Sequence, residues 1–308
     1  MARSLGIVGA MDARSHSRQT FPIREVAHAV GGAKPLEWDL VASGGYGRVS
    51  AHWRVSLADG RTAFVKHALT GEAATWLRKE RLIYESVHGT FMPSYVGAHD
   101  DGTTLIVLED LSGANWPPPW SARRVDAVLA SLDELHATPP PDGIETLEAR
   151  RRDIVGWDLV AADPEPFLAT RLCSPAWLDE ALPALLKAGA EAELGGDDLL
   201  HFDVRSDNLC FVGDRAVLVD WNLTCRGNAR FDVAFWLPSL QLEGGPAPAD
   251  VLPDAGPLAA AVAGFFAVRA GLAPPSGAPT VREFQRAQAE VALPWAAREL
   301  GLAPVATS

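Results

Sequence analysis

The sequence His-Phe-Asp-Val-Arg-Ser-Asp-Asn occupies residues 201–208, and an apolar stretch after it ends at Asp220-Trp221. An aspartate five residues before an asparagine in a short loop can place two oxygen ligands around one phosphoryl group. Asp203 would then accept the hydrogen bond of an attacking hydroxyl, and Asn208 would offer its amide oxygen to Mg²⁺, a hard cation that prefers oxygen ligands. The pattern therefore predicts a phosphoryl-transfer centre. The alternative is a polar surface loop beside a buried strand that happens to end in Asp.

The residues after this loop predict how Asp220 returns to it. Residues 209–212 and 216–219 are apolar, and Gly213-Asp214 between them is a turn signal. Two short strands joined by that turn would bring Asp220 back beside the loop. We therefore predict a catalytic set of Asp203, Asn208 and Asp220, in which Asn208 and Asp220 bind the metal ion.

A glycine-rich segment between two predicted strands is the candidate phosphate-binding loop. Glycines let backbone N–H groups approach phosphates closely and adopt positive φ. Compared with the pattern G-x-G-x-x-G-x-V, the segment has Ala42 in place of the first glycine. The alternative is a tight hairpin bend. The residues predicted to contact the nucleotide here are Ser43, Gly44, Gly45, Tyr46, Gly47 and Val49.

Lys66 ends the third predicted strand, in Phe-Val-Lys, and is the candidate cation for the nucleotide phosphates. Such a lysine needs a carboxylate to hold it. Glu80 on the next predicted helix is well placed, and Glu72 is the rival partner. The alternative is an edge-strand lysine in water, the usual environment of lysine. The order of glycine loop, lysine and helical glutamate favours the nucleotide-binding interpretation.

The apolar strand at residues 105–111 runs into the connection to the second half of the chain. Its backbone could hydrogen-bond the edge of an adenine ring, and we predict that the carbonyl of Glu109 and the N–H of Leu111 do so. Taken alone, this feature is only the end of a strand.

The chain changes character near residue 110. Before it, alternating apolar residues and the Asp59-Gly60 turn predict a small sheet with one helix. After it, helical periodicity dominates. The sequence predicts an α+β fold with a loose tail at 1–20, a small β-rich lobe at 21–110 and a larger, mainly helical lobe at 111–308. The predicted helices of the second lobe cover residues 122–137, 147–160, 175–195, 232–240, 258–270 and 281–300.

Composition limits the partners. The 308 residues are 48% hydrophobic and 21% charged, with a net charge of −12. That balance disfavours nucleic acid and anionic membranes, which require a cationic face. It is compatible with a cationic substrate, although solubility is the plainer explanation. The three cysteines show no C-x-x-C spacing, and no apolar run could span a bilayer. We therefore expect a cytoplasmic protein, monomeric or homodimeric.

Several residues have a structural and a functional interpretation. Asp232 could hold the backbone amides of loop 201–208 from beneath, or it could be an ordinary carboxylate at a helix start. His136 is expected to cap a helix or fill the core, with bracing of the catalytic loop as the alternative, and His201 is expected to orient that loop. Trp157, Trp221 and Trp236 are expected in the core, with a substrate pocket as the alternative; they are three of the ten tryptophans.

Together, these motifs resemble those of the aminoglycoside phosphotransferase and choline kinase-like family, which shares the bilobal protein kinase-like fold. The similarity runs from about residue 36 to 240. Phe202 and Val204 flank Asp203 where protein kinases have Arg and Leu, and Asp220-Trp-Asn replaces Asp-Phe-Gly. No Ala-Pro-Glu segment follows Asp220, so the chain looks like the small-molecule branch.

The resemblance implies ATP, or GTP as in some members, together with Mg²⁺ and a hydroxyl acceptor. It implies that Asp203 is the catalytic base, that Asn208 and Asp220 are Mg²⁺ ligands, and that Lys66 and Glu80 form an ion pair. The acceptor would be aminoglycoside-like or another amino alcohol or sugar, in a resistance or a metabolic role. The alternatives are a catalytically silent nucleotide-binding protein and a protein kinase. Carboxylates for a cationic acceptor would come from Asp158, Asp163, Glu165, Glu290 and Glu299.

Overall fold

The computed structural model describes residues 20–41, 49–275 and 278–306. The predicted tail, apart from Thr20, and the glycine-rich segment 43–47 therefore lie outside the described residues. The fold is the predicted α+β type, with an antiparallel sheet in the first third of the chain and a helical remainder.

The sheet has the strand order β1-β2-β3-β5-β4, and all of its neighbours are antiparallel. Alternate apolar residues of β2 face the core: Ala51, Trp53, Val55 and Leu57 are buried, which confirms the period-two pattern. Helix α1 (Ile23–Ala29) packs near β4 and β5. The strands are β1 (Pro35–Val41), β2 (Ser50–Leu57), β3 (Thr62–Ala68), β4 (Tyr95–Asp100) and β5 (Thr104–Glu109).

Helix α2 (Gly71–Ser86) begins where Thr70 accepts a hydrogen bond from the N–H of Ala73 at 3.2 Å. Its buried side chains recur every three or four residues and include one carboxylate, Glu80. Because that face packs on the sheet, Glu80 is carried inward towards β3 rather than into solvent.

The remainder of the chain is built around buried helices. Helix α10 is apolar on nearly every side and packs along α11 and against α7, as expected for a helix at the centre of a core. The longer helices are α3 (Ala122–His136), α7 (Pro175–Glu191), α8 (Ala229–Leu242), α10 (Gly256–Ala270) and α11 (Val281–Glu299). The short ones are α4 (Arg151–Val155), α5 (Trp157–Ala162), α6 (Glu165–Leu168) and α9 (Pro248–Val251).

The single helix predicted over residues 147–160 is wrong. The segment forms a 3₁₀ turn (Leu147–Arg150), α4 and α5. Gly156 has φ of 69° and ends α4 in the left-handed region. A Cβ atom at Gly156 would also collide with the carbonyl oxygen of Gly264 on α10. Apolar periodicity continues across this glycine, so the pattern alone does not reveal the break.

Two short strands and a hairpin frame the polar loop singled out above. Strand β6 (Asp198–Leu200) pairs with β9 (Cys225–Gly227), and β7 (Leu209–Val212) pairs with β8 (Arg215–Leu218). The predicted hairpin is confirmed, and Gly213 supplies its positive φ of 63°. Residues 201–208 therefore run from β6 to β7, and Asp220 follows β8.

Two compositional observations can be compared with the structure. Cys173, Cys210 and Cys225 are buried and free. Among the described residues, no helix is both long and apolar enough to cross a bilayer.

Candidate active site

Asp203 and Asn208 are joined across the loop between β6 and β7. Asn208 Nδ2 donates to Asp203 Oδ2 at 2.7 Å and to the Asp203 backbone oxygen at 2.9 Å. The Asn208 amide nitrogen is thus engaged within the loop, and its Oδ1 is the atom left to bind a cation. Val219 N donates to the backbone oxygen of Asn208 at 2.8 Å. That bond fixes the end of the hairpin, and with it Asp220, beside Asn208.

Asp232, in the first turn of α8, holds the loop from beneath. Its two carboxylate oxygens accept hydrogen bonds from the N–H groups of His201 (2.9 Å) and Phe202 (2.8 Å). His136 at the end of α3 places Nε2 3.2 Å from Asp232 Oδ2. Of the two interpretations of Asp232, the structure supports the brace, and His136 in turn contacts that brace. Phe202 has φ of 62°, a conformation that costs free energy for a bulky residue and that these contacts maintain.

His201 is buried and orients the loop. Its Nε2 lies 3.0 Å from the carbonyl oxygen of Val219, and its Nδ1 lies 3.3 Å from the N–H of Asp203. A carbonyl can only accept and an amide can only donate, so the proton is on Nε2 and the ring is neutral. Burial lowers the pKa of His201, which outweighs the opposing effects of Asp232 and Asp203. A neutral ring with both nitrogens engaged positions Asp203 and has no free nitrogen for proton transfer.

Asp203 is surrounded by charges that the sequence argument overlooked. Burial raises the pKa of its carboxyl, Arg205 and His201 oppose that shift, and Asp220 and Asp207 reinforce it. Arg205 Nε lies 3.5 Å from Asp203 Oδ1, and another guanidinium nitrogen of Arg205 lies 3.0 Å from Asp207. A raised pKa suits a carboxylate that must take up a proton. The available signal was an arginine two residues after the aspartate.

Lys66, Glu80 and Asp220 form a cluster between the sheet and the loop, in which Glu80 is buried and the Asp220 side chain is 39% exposed. Lys66 Nζ lies 2.8 and 2.7 Å from the two oxygens of Glu80 and 2.9 Å from Asp220 Oδ1. Glu80 is 2% exposed whereas Glu72 is exposed, so the structure selects Glu80 as the partner. Burial alone would lower the pKa of Lys66, but Asp220 and Glu80 raise it, so this ammonium stays charged.

Asp220 has φ of 71° and lies just before a 3₁₀ turn at Trp221–Leu223. Burial alone would raise the pKa of Asp220, but Lys66 outweighs burial and holds that pKa below its usual value. The carboxylate is therefore ionised and available to a cation. A positive φ on a non-glycine residue is an energetic cost that recurs at functional sites.

His52 is a second residue that sequence reasoning missed. It is the cross-strand neighbour of Lys66. Burial and the positive charge of Lys66 lower its pKa to about 4, against the opposing effect of Asp220. His52 is therefore neutral near pH 7. In β2, Ala51 and Trp53 are buried, so the alternation of the strand places His52 on the opposite face. That alternation was the sequence signal for His52.

Glu243, at the end of α8, joins the loop to the connection between the two parts of the chain. It accepts hydrogen bonds from the hydroxyl of Ser206 and from Trp120 Nε1, the latter at 2.9 Å. The Trp120 ring packs edge-on against Trp236. Sequence reasoning gave no role to Ser206, Trp120 or Glu243, because their spacing in the chain carries no recognisable pattern.

Of the remaining predicted nucleotide contacts, the described residues include Glu109, Leu111 and Val49. Glu109 ends β5, beside β3 that carries Lys66, and Leu111 follows in the connection to the helical part. Val49 precedes β2, and its carbonyl accepts from Leu69 N at 2.8 Å. Ser43, Gly44, Gly45, Tyr46 and Gly47 fall outside the described residues. The nucleotide-binding roles of all these residues stay predictions.

The donor atoms fit a hard cation. Asn208 contributes an amide oxygen and Asp220 a carboxylate, the ligand types that Mg²⁺ prefers. Within the described ranges, no group of three or more His, Cys, Asp or Glu residues could hold a metal by itself. A cation at Asn208 and Asp220 would need further oxygens, as a nucleotide phosphate or water supplies, which is the usual arrangement for Mg²⁺.

Several predicted acceptor-pocket residues have other environments. Trp157, Trp221 and Trp236 are completely buried, so they belong to the core and the pocket alternative is wrong. Glu290 is ion-paired with Arg286 at 2.7 Å, and Glu299 accepts from Ala255 N at 3.1 Å. Asp158, Asp163 and Glu165 are exposed on or beside α5 and α6.

The chain is similar to known phosphotransferases over most of its length. The family model of the phosphotransferase enzyme family (APH) matches residues 46–274. Among curated proteins, none matches the chain significantly.

Solved structures share the fold at low sequence identity. A choline/ethanolamine kinase family protein from Mesorhizobium loti has a TM-score of 0.54 at 16% identity, covering 85% of this chain and 91% of that one. An amicoumacin kinase in complex with AMP-PNP, Ca²⁺ and Ami has a TM-score of 0.52 at 11% identity, covering 82% and 87%. A protein described as a fructosamine-3-kinase from Thermobifida fusca has a TM-score of 0.51 at 19% identity, covering 87% and 96%.

Proposed function

This chain belongs to the phosphotransferase enzyme family, and we propose that it transfers the γ-phosphoryl group of ATP to a hydroxyl group of a small molecule. The observation that carries the proposal is the convergence of Asp203, Asn208 and the Lys66–Asp220 ion pair at one place between the sheet and the helical part. Together they offer a base, two oxygen ligands and a cation, the parts that phosphoryl transfer needs.

In the proposed reaction, Asp203 accepts the proton of the acceptor hydroxyl as that oxygen attacks the γ-phosphorus. A new O–P bond forms, the bond from the γ-phosphorus to the bridging oxygen breaks, and ADP leaves. The hydrogen bond from Asn208 and the brace from Asp232 fix the Asp203 carboxylate before the acceptor arrives. Catalysis then depends mainly on positioning and charge neutralisation.

The nucleotide would be held at the edge of the sheet. Lys66, oriented by Glu80, is proposed to bind the phosphates, with backbone contacts from residues 43–47 and from Val49. The carbonyl of Glu109 and the N–H of Leu111 are proposed to bind the purine, and GTP would be an alternative donor. Asn208 and Asp220 would hold Mg²⁺, which when bound neutralises charge on the phosphates.

The proposal is tested by ADP release with Asp203→Asn and the matched control Asp133→Asn, an exposed aspartate of α3. We expect Asp203→Asn to lower kcat by about 1,000-fold while Mg²⁺-dependent binding of AMP-PNP is retained. Asp133→Asn should behave as wild type. Near-wild-type turnover by Asp203→Asn contradicts the role given to Asp203.

Two other outcomes would replace the proposal. Nucleotide binding without turnover of any hydroxyl compound would indicate a catalytically silent protein. Transfer to protein serine or threonine, with none to small alcohols, would indicate a protein kinase.

A further inference from the structure

An ion pair joins β2 to the connection between the two parts of the chain. Arg54 Nε donates to Asp110 Oδ2 at 2.8 Å, and the two residues are 56 positions apart in sequence. Asp110 directly follows β5 and lies between Glu109 and Leu111, the two residues proposed to bind the purine. The ion pair therefore holds the segment whose backbone is proposed to contact the nucleotide base.

Arg54 lies on the face of the sheet that carries Lys66. In β2 the buried residues Trp53 and Val55 flank Arg54, so the alternation of the strand places Arg54 on the opposite face, together with His52. His52 is the cross-strand neighbour of Lys66. Arg54 is therefore on the face where the nucleotide phosphates are proposed to bind.

The register of the sheet sets the distance from Arg54 to the end of β5. Phe64 is the neighbour of Arg54 on β3, and Leu108, the penultimate residue of β5, is the neighbour of Phe64. Lys66 pairs instead with Ile106. Residues two apart on a strand are separated by about 7 Å, so the row of Arg54 is about that much nearer to the connection than the row of Lys66. A nucleotide with its phosphates at Lys66 and its purine at the connection would extend along this face.

Asp110 is the buried member of the ion pair. Its side chain is 6% exposed, whereas that of Arg54 is 49% exposed. Asp110 Oδ1 accepts a hydrogen bond from the N–H of Ser112 at 2.9 Å, so the same carboxylate fixes the turn after Leu111. Burial alone would raise the pKa of Asp110, but hydrogen bonds from Ser112, Arg54 and Thr62 outweigh burial and lower that pKa. The carboxylate is therefore ionised.

A carboxylate within the sheet was the alternative partner for Arg54. Asp39 on β1 is its direct cross-strand neighbour. In the part of the chain that the structure describes, Arg54 forms its ion pair with Asp110, and none joins it to Asp39. An exposed pair along the sheet would contribute little to stability, whereas the pair with Asp110 gives a buried carboxylate its cation. The guanidinium is thus directed towards the connection.

The backbone beside Asp110 is anchored on both sides and offers one donor. Glu109 N–H donates to the backbone oxygen of Ser94 at 2.9 Å, and Ser94 N–H donates to the Glu109 carboxylate at 3.0 Å. The carbonyl of Leu111 accepts from Ala114 N–H at 3.0 Å. Among the described residues, none accepts a hydrogen bond from the N–H of Leu111. That N–H is the group proposed above to bind the purine.

Building on the phosphotransferase function proposed above, we propose that Arg54 and Asp110 are positioning residues for the purine of the nucleotide. Their ion pair holds the connection against the sheet, so the carbonyl of Glu109 and the N–H of Leu111 are in place before the nucleotide binds. Groups that are ordered in advance lose less conformational entropy on binding, which increases affinity. The proposed transfer step is unchanged.

The first experiment compares AMP-PNP with inorganic tripolyphosphate, which has the phosphate chain and no purine. Titration calorimetry at saturating Mg²⁺ measures the Kd of each. We expect Arg54→Gln to raise the Kd of AMP-PNP by about 10-fold and to change the Kd of tripolyphosphate by less than about 2-fold. Equal weakening of both ligands would indicate a general disturbance of the sheet and overturns the positioning role.

Two further variants at arginine positions serve as controls. Arg78→Gln removes another half-exposed arginine of the same part of the chain, paired with Asp100 at 2.8 Å between α2 and β4, and should leave both Kd values unchanged. Arg54→Lys keeps the charge without the planar guanidinium and should recover part of the affinity for AMP-PNP. A loss of AMP-PNP affinity as large in Arg78→Gln as in Arg54→Gln overturns the proposal.

A double variant distinguishes positioning from direct contact with the nucleotide. If Arg54 and Asp110 act as a unit, the double variant Arg54→Gln with Asp110→Asn should bind AMP-PNP within about 2-fold of each single variant. Independent losses would multiply to about 100-fold. That result would show that Arg54 contacts the nucleotide itself, and it overturns the positioning role.

ADP release separates failure of this inference from failure of the proposed function. Arg54→Gln should raise the KM of ATP by about 10-fold and lower kcat by less than about 2-fold, the opposite of the pattern expected for Asp203→Asn. An unchanged KM of ATP with normal turnover overturns the inference and leaves the phosphotransferase function intact. A wild-type protein that binds no AMP-PNP contradicts the nucleotide-binding function itself, and the inference with it.

Discussion

Lys66 and Asp220 are 154 residues apart in the chain, yet Lys66 Nζ lies 2.9 Å from Asp220 Oδ1. The contact joins β3 of the sheet to the residue that follows β8, and the same ammonium is held on its other side by Glu80. It also explains why Lys66 remains charged although it is buried, since two carboxylates offset the loss of hydration.

Replacing Lys66 by methionine should lower kcat/KM by about 100-fold, because the cation proposed to bind the nucleotide phosphates is lost. It should also lower the free energy of unfolding by about 3 kcal/mol, because Glu80 is left buried without a partner. ADP release and urea denaturation measure the two effects. Lys79→Met, an exposed residue of α2, is the control.

The double variant Lys66→Met with Glu80→Gln separates the two effects. It should regain part of the lost stability, since the unpaired charge is removed, and none of the activity. If Lys66→Met alone unfolds at the wild-type urea concentration, the buried ion pair does not contribute as described.

Asp232→Asn should lower both stability and turnover. The carboxylate accepts two backbone hydrogen bonds in a buried environment, and an amide can accept only with its single oxygen. We expect a loss of about 2 kcal/mol in the free energy of unfolding and about a 10-fold lower kcat, with the KM of ATP little changed. Asp179→Asn, exposed on α7, should change neither quantity.

Glu243→Ala should lower kcat by about 10-fold, since it frees both Ser206 in the loop and Trp120 in the connection. Glu243 touches the loop rather than the nucleotide contacts, so the KM of ATP should be nearly constant. Trp120→Phe keeps the Ser206 contact and should have a smaller effect. Equal losses of kcat in Glu243→Ala and in the exposed control Glu191→Ala would exclude a positioning role.

The pH dependence of kcat/KM should report the environment of Asp203. Burial raises the pKa of this carboxyl, so the acidic limb should lie above the ordinary aspartate value of 3.8. The folded state binds this proton more tightly than the unfolded chain, so the stability it contributes is present below pH 3.8 and is lost as pH rises through the raised pKa of Asp203.

Two neighbouring charges give opposite tests of that assignment. Asp207 raises the pKa of Asp203, so Asp207→Asn should move the acidic limb to lower pH. Arg205 lowers it, so Arg205→Gln should move the limb to higher pH. A limb that moves in the same direction in both variants would show that another group controls it.

The fold type and the motifs of the site could be predicted from local patterns in the sequence. A period-two pattern in β2, helical periodicity after residue 120 and the spacing of Asp203, Asn208 and Asp220 each depend on residues close together in the chain. Such local patterns can be read without knowing what the residues touch. The same reading missed the break at Gly156, because apolar periodicity does not register a left-handed glycine packed against α10.

Which side chains meet depends on how the distant parts of the chain pack together. The packing pairs Lys66 with Glu80 rather than Glu72, makes Asp232 the brace of loop 201–208, and places His52 and Glu243 beside the site. These relationships join residues that are far apart in sequence, and burial and counter-charge give them their chemistry. Burial and counter-charge arise only when the sheet, the hairpin β7–β8 and α8 pack around the loop between β6 and β7.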